Sequence, residues 1–156
     1  MDSEISPEIA PDMIRGRYPH VYRRLVHWGE CDPQGVIYTP RASEYAIDVI
    51  ENWLIEAAGI NWLQIRDQGL GCPTVSTQTI FSHVLRVGAV VDLVIRVKKV
   101  GSSSVTFEVQ CINEQGVLCF TVEHISCFVT DQPFASVPIP DEIRKSLEAY
   151  LAACKE

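Results

Sequence analysis

The sequence lacks the features that metal-binding, membrane-spanning and nucleic-acid-binding proteins need. Its six cysteines include no CxxC pair, so the usual spacing of a structural zinc site is missing. The net charge of −7 argues against a nucleic-acid or anionic-membrane partner, because both require a basic face. No apolar run is long enough to span a bilayer. We therefore expect no metal, no cofactor, no nucleic acid and no membrane as a partner.

The amino-terminal segment also lacks the apolar core of a signal peptide, because it is acidic and contains proline. We interpret residues 1–18 as a flexible arm and residues 19–156 as one domain, since a chain of 156 residues suits a single hydrophobic core. We expect the cysteines to be small, reduced, mostly buried side chains of a cytoplasmic protein rather than disulfides.

The clearest element that is present is a long helix beginning near Thr39. Apolar side chains recur there at spacings of three and four, which predicts one buried stripe. Thr39 suits the N-cap, Pro40 the first helical position and Gly59 the C-terminal stop. The stripe consists of Ala42, Tyr45, Ala46, Val49, Ile50, Trp53, Leu54 and Ala57. The acidic side chains on the opposite face, which we expect in solvent, are Glu44, Asp48 and Glu51.

Most of the remaining chain alternates with the period of two that is typical of strands. The predicted strands are 20–28, 73–84, 91–99, 105–111 and 117–129. We expect the last four to form a meander, with 117–129 inside the sheet because it is apolar on both faces. A short amphipathic helix over 139–152 ends the pattern. Since the stripe of the long helix must be covered, we predict an α+β fold in which an antiparallel five-stranded sheet wraps around it.

The stretch WGECDPQGVIYTP, residues 28–40, raises a functional hypothesis. Together with the following helix, it resembles the signature of the 4-hydroxybenzoyl-CoA thioesterase family, whose members have the hotdog fold. The shared pattern is Gly, acid, Cys, Asp, Pro, any residue, Gly, two β-branched residues, Tyr and the central helix. The resemblance extends over about residues 20–130. It implies an enzyme that hydrolyses an acyl-CoA thioester and assembles as a dimer or a dimer of dimers.

The resemblance also implies roles for particular residues. Asp32 matches the catalytic carboxylate, Tyr38 the residue whose backbone N–H faces the thioester oxygen, and Gly35 the turn between them. The family lines its acyl pocket with residues at the start of the second strand, which here are Thr74, Ser76 and Thr77. Trp62, after the long helix, corresponds to a wall of that pocket. The family often binds CoA phosphates with basic residues in a turn that here reads Gly-Ser-Ser, so Lys98 and Lys99, just upstream, are the candidates instead.

The chemistry is also reasonable without the family. A helix N-terminus carries unpaired N–H groups and about half a positive charge, which suits an oxyanion hole. Asp32 would be ionised beside it and would either attack the thioester carbon or deprotonate water. We favour direct attack, because a carboxylate of low pKa is a poor base. The structural alternative is a turn aspartate whose side chain bonds to nearby amides.

Two further functions are considered. A hotdog hydratase or dehydratase needs a histidine and a carboxylate at the acyl chain, and the sequence places no histidine near the helix start. We expect His27, His83 and His124 to lie on strands as ordinary core or surface residues, with Glu123 facing away from His124. A non-catalytic acyl-binding module of the same fold is the other alternative, which Asp32 in its motif argues against.

Overall fold

The computed structural model describes residues 12–13 and 19–155. The predicted arm over residues 1–18 therefore lies outside the described residues, except for Asp12 and Met13, which pair with Arg23 and Tyr22. Within the described part of the chain, no helix is long and apolar enough to cross a membrane.

The described residues form three α-helices and nine strands. The helices are α1 (Thr39–Glu56), α2 (Trp62–Asp67) and α3 (Asp141–Ala153). The strands are β1 (Asp12–Met13), β2 (Val21–Leu25), β3 (Leu70–Gly71), β4 (Thr74–Phe81), β5 (Val90–Val100), β6 (Ser104–Asn113), β7 (Leu118–Cys127), β8 (Val129–Thr130) and β9 (Ala135–Ser136). The predicted first strand is shorter than expected, because its last residues enter a 3-10 turn over Trp28–Glu30.

The predicted long helix is α1. It begins one residue earlier than expected, so that Tyr38 is the N-cap and Pro40 the second helical residue. The predicted stripe is buried up to Leu54, and the three acidic residues opposite it are exposed. Ala57 is exposed because the helix ends at Glu56, three residues before Gly59 turns the chain with a φ of 66°. The period of 3.6 thus predicted the buried face correctly.

The five long strands form an antiparallel sheet in the order β2-β5-β6-β7-β4, with β1 outside β2. This sheet with α1 against it is the predicted α+β hotdog fold. The predicted meander of four strands is wrong, because β4 pairs with β7 rather than with β5. Only β5, β6 and β7 form a meander, and β4 is an edge strand. The alternation of a strand is the same whichever neighbour it pairs with, so the sequence did not show this.

The core lies between α1 and one face of the sheet. On this inner face the ring of Phe107 is 5.9 Å from that of Trp53, and the ring of Phe120 is 6.3 Å from that of Tyr45. The strand register defines two ends of the sheet. At one end Phe81 is opposite Phe120, and we call it the Phe81 end. At the other end Thr74 is opposite Ser126, and we call it the Thr74 end.

The cysteines differ in their burial. All six lie in the described residues and are free, and Cys111 and Cys119 are fully buried. Burial raises the pKa of the Cys72 thiol to about 12, which keeps it protonated and unreactive at neutral pH.

Candidate active site

Asp32 lies in a tight turn that its own side chain helps to form. The Asp32 N–H donates to the Val36 carbonyl at 2.8 Å, and the Gly35 N–H donates to the Asp32 carbonyl at 2.9 Å. The carboxylate Oδ1 accepts from the amides of Gln34 at 2.8 Å and Val36 at 3.3 Å. Gly35 has a φ of 73°, which favours glycine. One carboxylate oxygen therefore holds the turn, and the other has no hydrogen-bond partner among the described residues.

The turn is also held from outside by the segment that follows β4. The Ile37 N–H donates to the Leu85 carbonyl at 2.8 Å, and the Val87 N–H donates to the Gly35 carbonyl at 3.1 Å. These bonds join two segments that are far apart in sequence. They fix the turn against the loop between β4 and β5.

Asp32 lines a cleft of about 410 Å³ at the Phe81 end of the sheet. Thr39, the first residue of α1, and His83 line the same cleft. Its apolar walls are Val36, Ile37, Phe81, Val84 and Leu85. A half-buried carboxylate, a helix N-terminus and apolar walls are thus brought together in one cleft.

The predicted backbone donor, Tyr38, does not face this cleft. Its N–H donates to the Glu30 carbonyl at 2.9 Å, and its ring is 56% exposed on the surface. The Thr39 N–H, the first amide of α1, has no hydrogen-bond partner among the described residues, and Pro40 has no N–H. The candidate donor at the positive end of the helix is therefore Thr39, one residue after the predicted one.

The predicted acyl-binding residues lie towards the Thr74 end and do not line the cleft. Thr77 pairs with buried His124, so it belongs to the inner face, whereas Ser76 pairs with Ile125 and belongs to the outer face. Ser76 is therefore on the wrong face for a pocket beside α1. The Thr74 hydroxyl lies 3.3 Å from His124 Nε2, and Trp62 packs half-buried against the core from α2.

Lys98 and Lys99 are also remote from Asp32 within one chain. At the Phe81 end, Phe81 on β4 pairs with Phe120 on β7, Phe120 pairs with Cys111 on β6, and Cys111 pairs with Leu93 on β5. Leu93 therefore marks the Phe81 end on β5. From Leu93 to Lys99 the strand advances about 20 Å towards the Thr74 end. Both lysines are exposed, and the Lys98 ammonium pairs with Glu108 at 3.8 Å. They are therefore too far from the cleft to contact a thioester group bound beside Asp32.

His83 is the residue that the sequence reasoning missed. It was expected on a strand, but β4 ends at Phe81, and His83 is exposed in the following loop where it lines the cleft with Asp32. His27 also lies outside the strand, whereas His124 is on β7 and buried, with Glu123 exposed on the other face as predicted. Nothing in the local sequence indicates that the loop after β4 folds over the Asp32 turn.

Among the described residues, no group of three or more His, Cys, Asp or Glu side chains is arranged to hold a metal ion. The polar residues that line the cleft are Asp32, Thr39, Ser82 and His83.

A model of the thioesterase-like superfamily matches residues 26–147, which include the whole cleft. The chain belongs to the thioesterase-like superfamily. A search of curated proteins finds no match.

Solved structures of other proteins have the same fold as this superfamily member. A hypothetical protein from Staphylococcus aureus, solved in complex with CoA, has a TM-score of 0.81 and 13% identity over 95% of this chain and 89% of its own. A 1,4-dihydroxy-2-naphthoyl-CoA thioesterase from Synechocystis has a TM-score of 0.76 and 16% identity over 81% and 93%. A gentisyl-coenzyme A thioesterase has a TM-score of 0.71 and 21% identity over 80% and 98%. At these identities the likeness establishes the fold.

Proposed function

We propose that this member of the superfamily hydrolyses an acyl-CoA thioester to the free acid and CoA. The observation that carries the proposal is that Asp32, with one carboxylate oxygen left unpaired, lines the same cleft as Thr39 at the amino end of α1. A nucleophile or base and a donor for the developing oxyanion are the two groups that thioester hydrolysis requires.

The thioester carbonyl oxygen is placed near the Thr39 N–H, where the partial positive charge of the helix stabilises the oxyanion. In the direct route, an Asp32 oxygen attacks the carbonyl carbon, the C–S bond breaks and CoA leaves as the thiolate. Water then hydrolyses the mixed anhydride. In the other route, Asp32 removes a proton from water as the water oxygen attacks the carbonyl carbon. The C–S bond then breaks, CoA leaves as the thiolate and the free acid remains. Both routes use the same groups, and we favour the first slightly.

The apolar walls of the cleft suit an aromatic or a short to medium acyl group. Two of the similar structures act on aromatic acyl-CoA substrates according to their names, gentisyl-CoA and 1,4-dihydroxy-2-naphthoyl-CoA. We assign neither substrate to this chain, because acyl specificity depends on side chains that differ between proteins of one fold. Thr74, Thr77 and Trp62 stay predicted acyl contacts, towards the Thr74 end beyond the cleft.

The proposed enzyme is a homo-oligomer. Within the described chain β4 pairs on one side only, with β7, and its side chains Val75 and Ile80 are 60% and 58% exposed. An open, partly apolar edge strand favours pairing with another chain. A dimer, or a dimer of dimers, would cover this edge and would offer a second copy of Lys98 and Lys99 for CoA binding.

The test is a thiol-release assay with a panel of aryl- and alkyl-CoA thioesters. Asp32→Asn should lower kcat by about 10²–10⁴-fold, because the amide can neither attack nor deprotonate water. The fold should survive, since the Asn side-chain oxygen can still accept the bonds from Gln34 and Val36. Asp131→Asn, at an exposed loop position, is the control and should leave kcat unchanged. Undiminished turnover in Asp32→Asn would refute the proposal.

His83 supports a second candidate, a hydratase or dehydratase, because it puts a histidine in the cleft with Asp32. The sequence places no histidine near the start of α1, but His83 reaches the cleft from the loop after β4. Incubation with an enoyl-CoA separates the candidates: loss of the double bond without thiol release indicates hydration. Binding of acyl-CoA with neither reaction would indicate a non-catalytic module.

A further inference from the structure

Glu30 lies two residues before Asp32, and its side chain is surrounded by donors. The carboxylate is only 18% exposed. It accepts hydrogen bonds from the His27 N–H at 2.8 Å, from the Tyr45 hydroxyl at 2.6 Å and from the Arg24 guanidinium. These donors come from the start of the 3-10 turn, from α1 and from β2. One carboxylate thus joins three elements of the fold.

Arg24 completes this cluster from the inner face of the sheet. Its side chain is 14% exposed, and its guanidinium lies 3.6 Å from the centre of the Tyr45 ring. It also lies 3.7 Å from the carboxylate of Asp48 on α1. A buried ion pair is a weak source of stability, because desolvation offsets most of its attraction. A role in setting geometry explains better why charges occupy this place.

The surroundings of Glu30 favour its charged form, which accepts hydrogen bonds. Burial by itself raises its pKa, but the bonds from Tyr45 and His27 and the charge of Arg24 outweigh burial and hold the pKa below its usual value. Burial and the bond to Glu30 raise the pKa of Tyr45 well above its usual value, so its hydroxyl remains a donor.

The backbone of Glu30 controls the base of the Asp32 turn. The Glu30 carbonyl accepts a hydrogen bond from the Tyr38 N–H at 2.9 Å, directly before α1 begins. The next residues towards the tip of the turn, Cys31 and Ile37, form an antiparallel bridge. The main chain of Glu30 therefore holds the two ends of the turn together. The Glu30 side chain ties these two ends to the second turn of α1 through its hydrogen bond with the Tyr45 hydroxyl.

We propose that Glu30 is a positioning residue that fixes the distance between the Asp32 carboxylate and the amino end of α1. This inference rests on the proposed function, in which both groups act on one carbonyl. Misplacement of a reacting group by about 1 Å can cost about 10²-fold in rate, so such an anchor would act mainly on kcat. Substrate affinity would change less, because Glu30 does not line the cleft.

Glu30→Gln tests the proposal. The amide has one acceptor oxygen for three donors, and its NH2 group would face other donors. We expect kcat for thioester hydrolysis to fall by about 10–100-fold, with KM changed by less than about threefold. Tyr45→Phe removes one donor but keeps the ring beneath Arg24, so its effect should be smaller. The losses of the two variants should not add in the double variant, because both act through one contact.

Asp92→Asn is the matched control. It removes the negative charge that pairs with Arg23 through two hydrogen bonds. This contact joins β2 to β5 on the face of the sheet opposite Arg24 and does not touch the turn. It should leave kcat and KM unchanged. A loss of kcat in Asp92→Asn as large as that in Glu30→Gln, or an unchanged kcat in Glu30→Gln, would overturn the proposal.

Amide hydrogen exchange provides a readout that does not depend on activity. Glu30→Gln should speed exchange of the Tyr38 and Val36 amides relative to the wild-type protein, whereas Asp92→Asn should not. Unchanged protection in Glu30→Gln would refute the positioning role even if the wild-type chain hydrolyses no thioester. Faster exchange without wild-type thiol release would refute the proposed function alone.

Discussion

Asp32 uses its two carboxylate oxygens for different purposes. One accepts the amides of Gln34 and Val36 and forms the turn, and the other is left for the cleft. A turn-forming role and a catalytic role for Asp32 are therefore compatible, because each uses a different carboxylate oxygen. The first role fixes the orientation that the proposed second role needs, because a carboxylate already held by two amides has little freedom to rotate.

Gly35→Ala tests how far this turn depends on its backbone. Gly35 has a φ of 73°, and an added Cβ would meet only Val87 at 3.9 Å, so strain rather than collision should set the cost. We expect the free energy of unfolding to fall by about 1–2 kcal/mol and kcat to fall severalfold, because the Asp32 carboxylate moves. Chemical denaturation and the thiol-release assay measure the two effects.

Gly116→Ala is the matched control for this variant. Gly116 has a φ of 76°, has no atom within 4 Å of an added Cβ and lies in the hairpin between β6 and β7. It should lose similar stability and keep full kcat. An equal loss of kcat in both variants would mean that the effect of Gly35→Ala arises from stability alone.

At the scale of the element, β4 and β7 are joined by a polar cluster at the Thr74 end. His124 Nε2 lies 2.9 Å from the Ser126 hydroxyl and 3.3 Å from the Thr74 hydroxyl, and His124 is only 4% exposed. Burial lowers the pKa of His124 from its usual 6.5. The cluster is therefore built around a neutral imidazole.

This burial predicts a pH dependence. Below pH 6.5 the unfolded chain protonates at His124 before the folded chain does, so the free energy of unfolding should fall as pH drops from 7 towards 5. His124→Gln should show a smaller fall over the same range. Some fall should persist, because burial also lowers the pKa of His20. Urea unfolding at several pH values measures this, and an equal pH dependence in both proteins would contradict it.

The elements themselves were largely predictable, and their pairing was not. The buried face of α1 and the alternation in β5, β6 and β7 follow from local periodicity, which every stretch of chain carries in itself. The pairing of β4 with β7 brings together Phe81 and Phe120, which are distant in sequence, and alternation does not encode the partner. The same limit applied to the loop after β4, which carries His83 into the cleft.

At the scale of the whole molecule, the open edge of β4 predicts assembly. We expect the protein in solution to have at least twice the 17.4 kDa mass of one chain, measured by light scattering. Ile80→Lys places a charge on the edge strand and should shift the protein towards the monomer. If the second copy supplies CoA contacts, the monomer should also have a raised KM.

Phe134→Lys is the control, because Phe134 is 73% exposed but lies in the turn between β8 and β9, away from β4. It should leave the mass unchanged. A wild-type protein that is monomeric at micromolar concentration would contradict the proposed assembly.

Local sequence was enough to predict the long helix, its buried stripe, most of the strands and the position of Asp32 in a tight turn before the helix. Each depends on residues close together in the chain, where spacing and backbone preference act directly. Three features emerge only in the folded chain: Thr39 rather than Tyr38 offers a free amide, Ser76 faces outwards, and Glu30 is anchored by Arg24 and Tyr45. These depend on which distant groups meet, and a hydrogen bond such as that from Tyr38 to Glu30 exists only once the chain has folded.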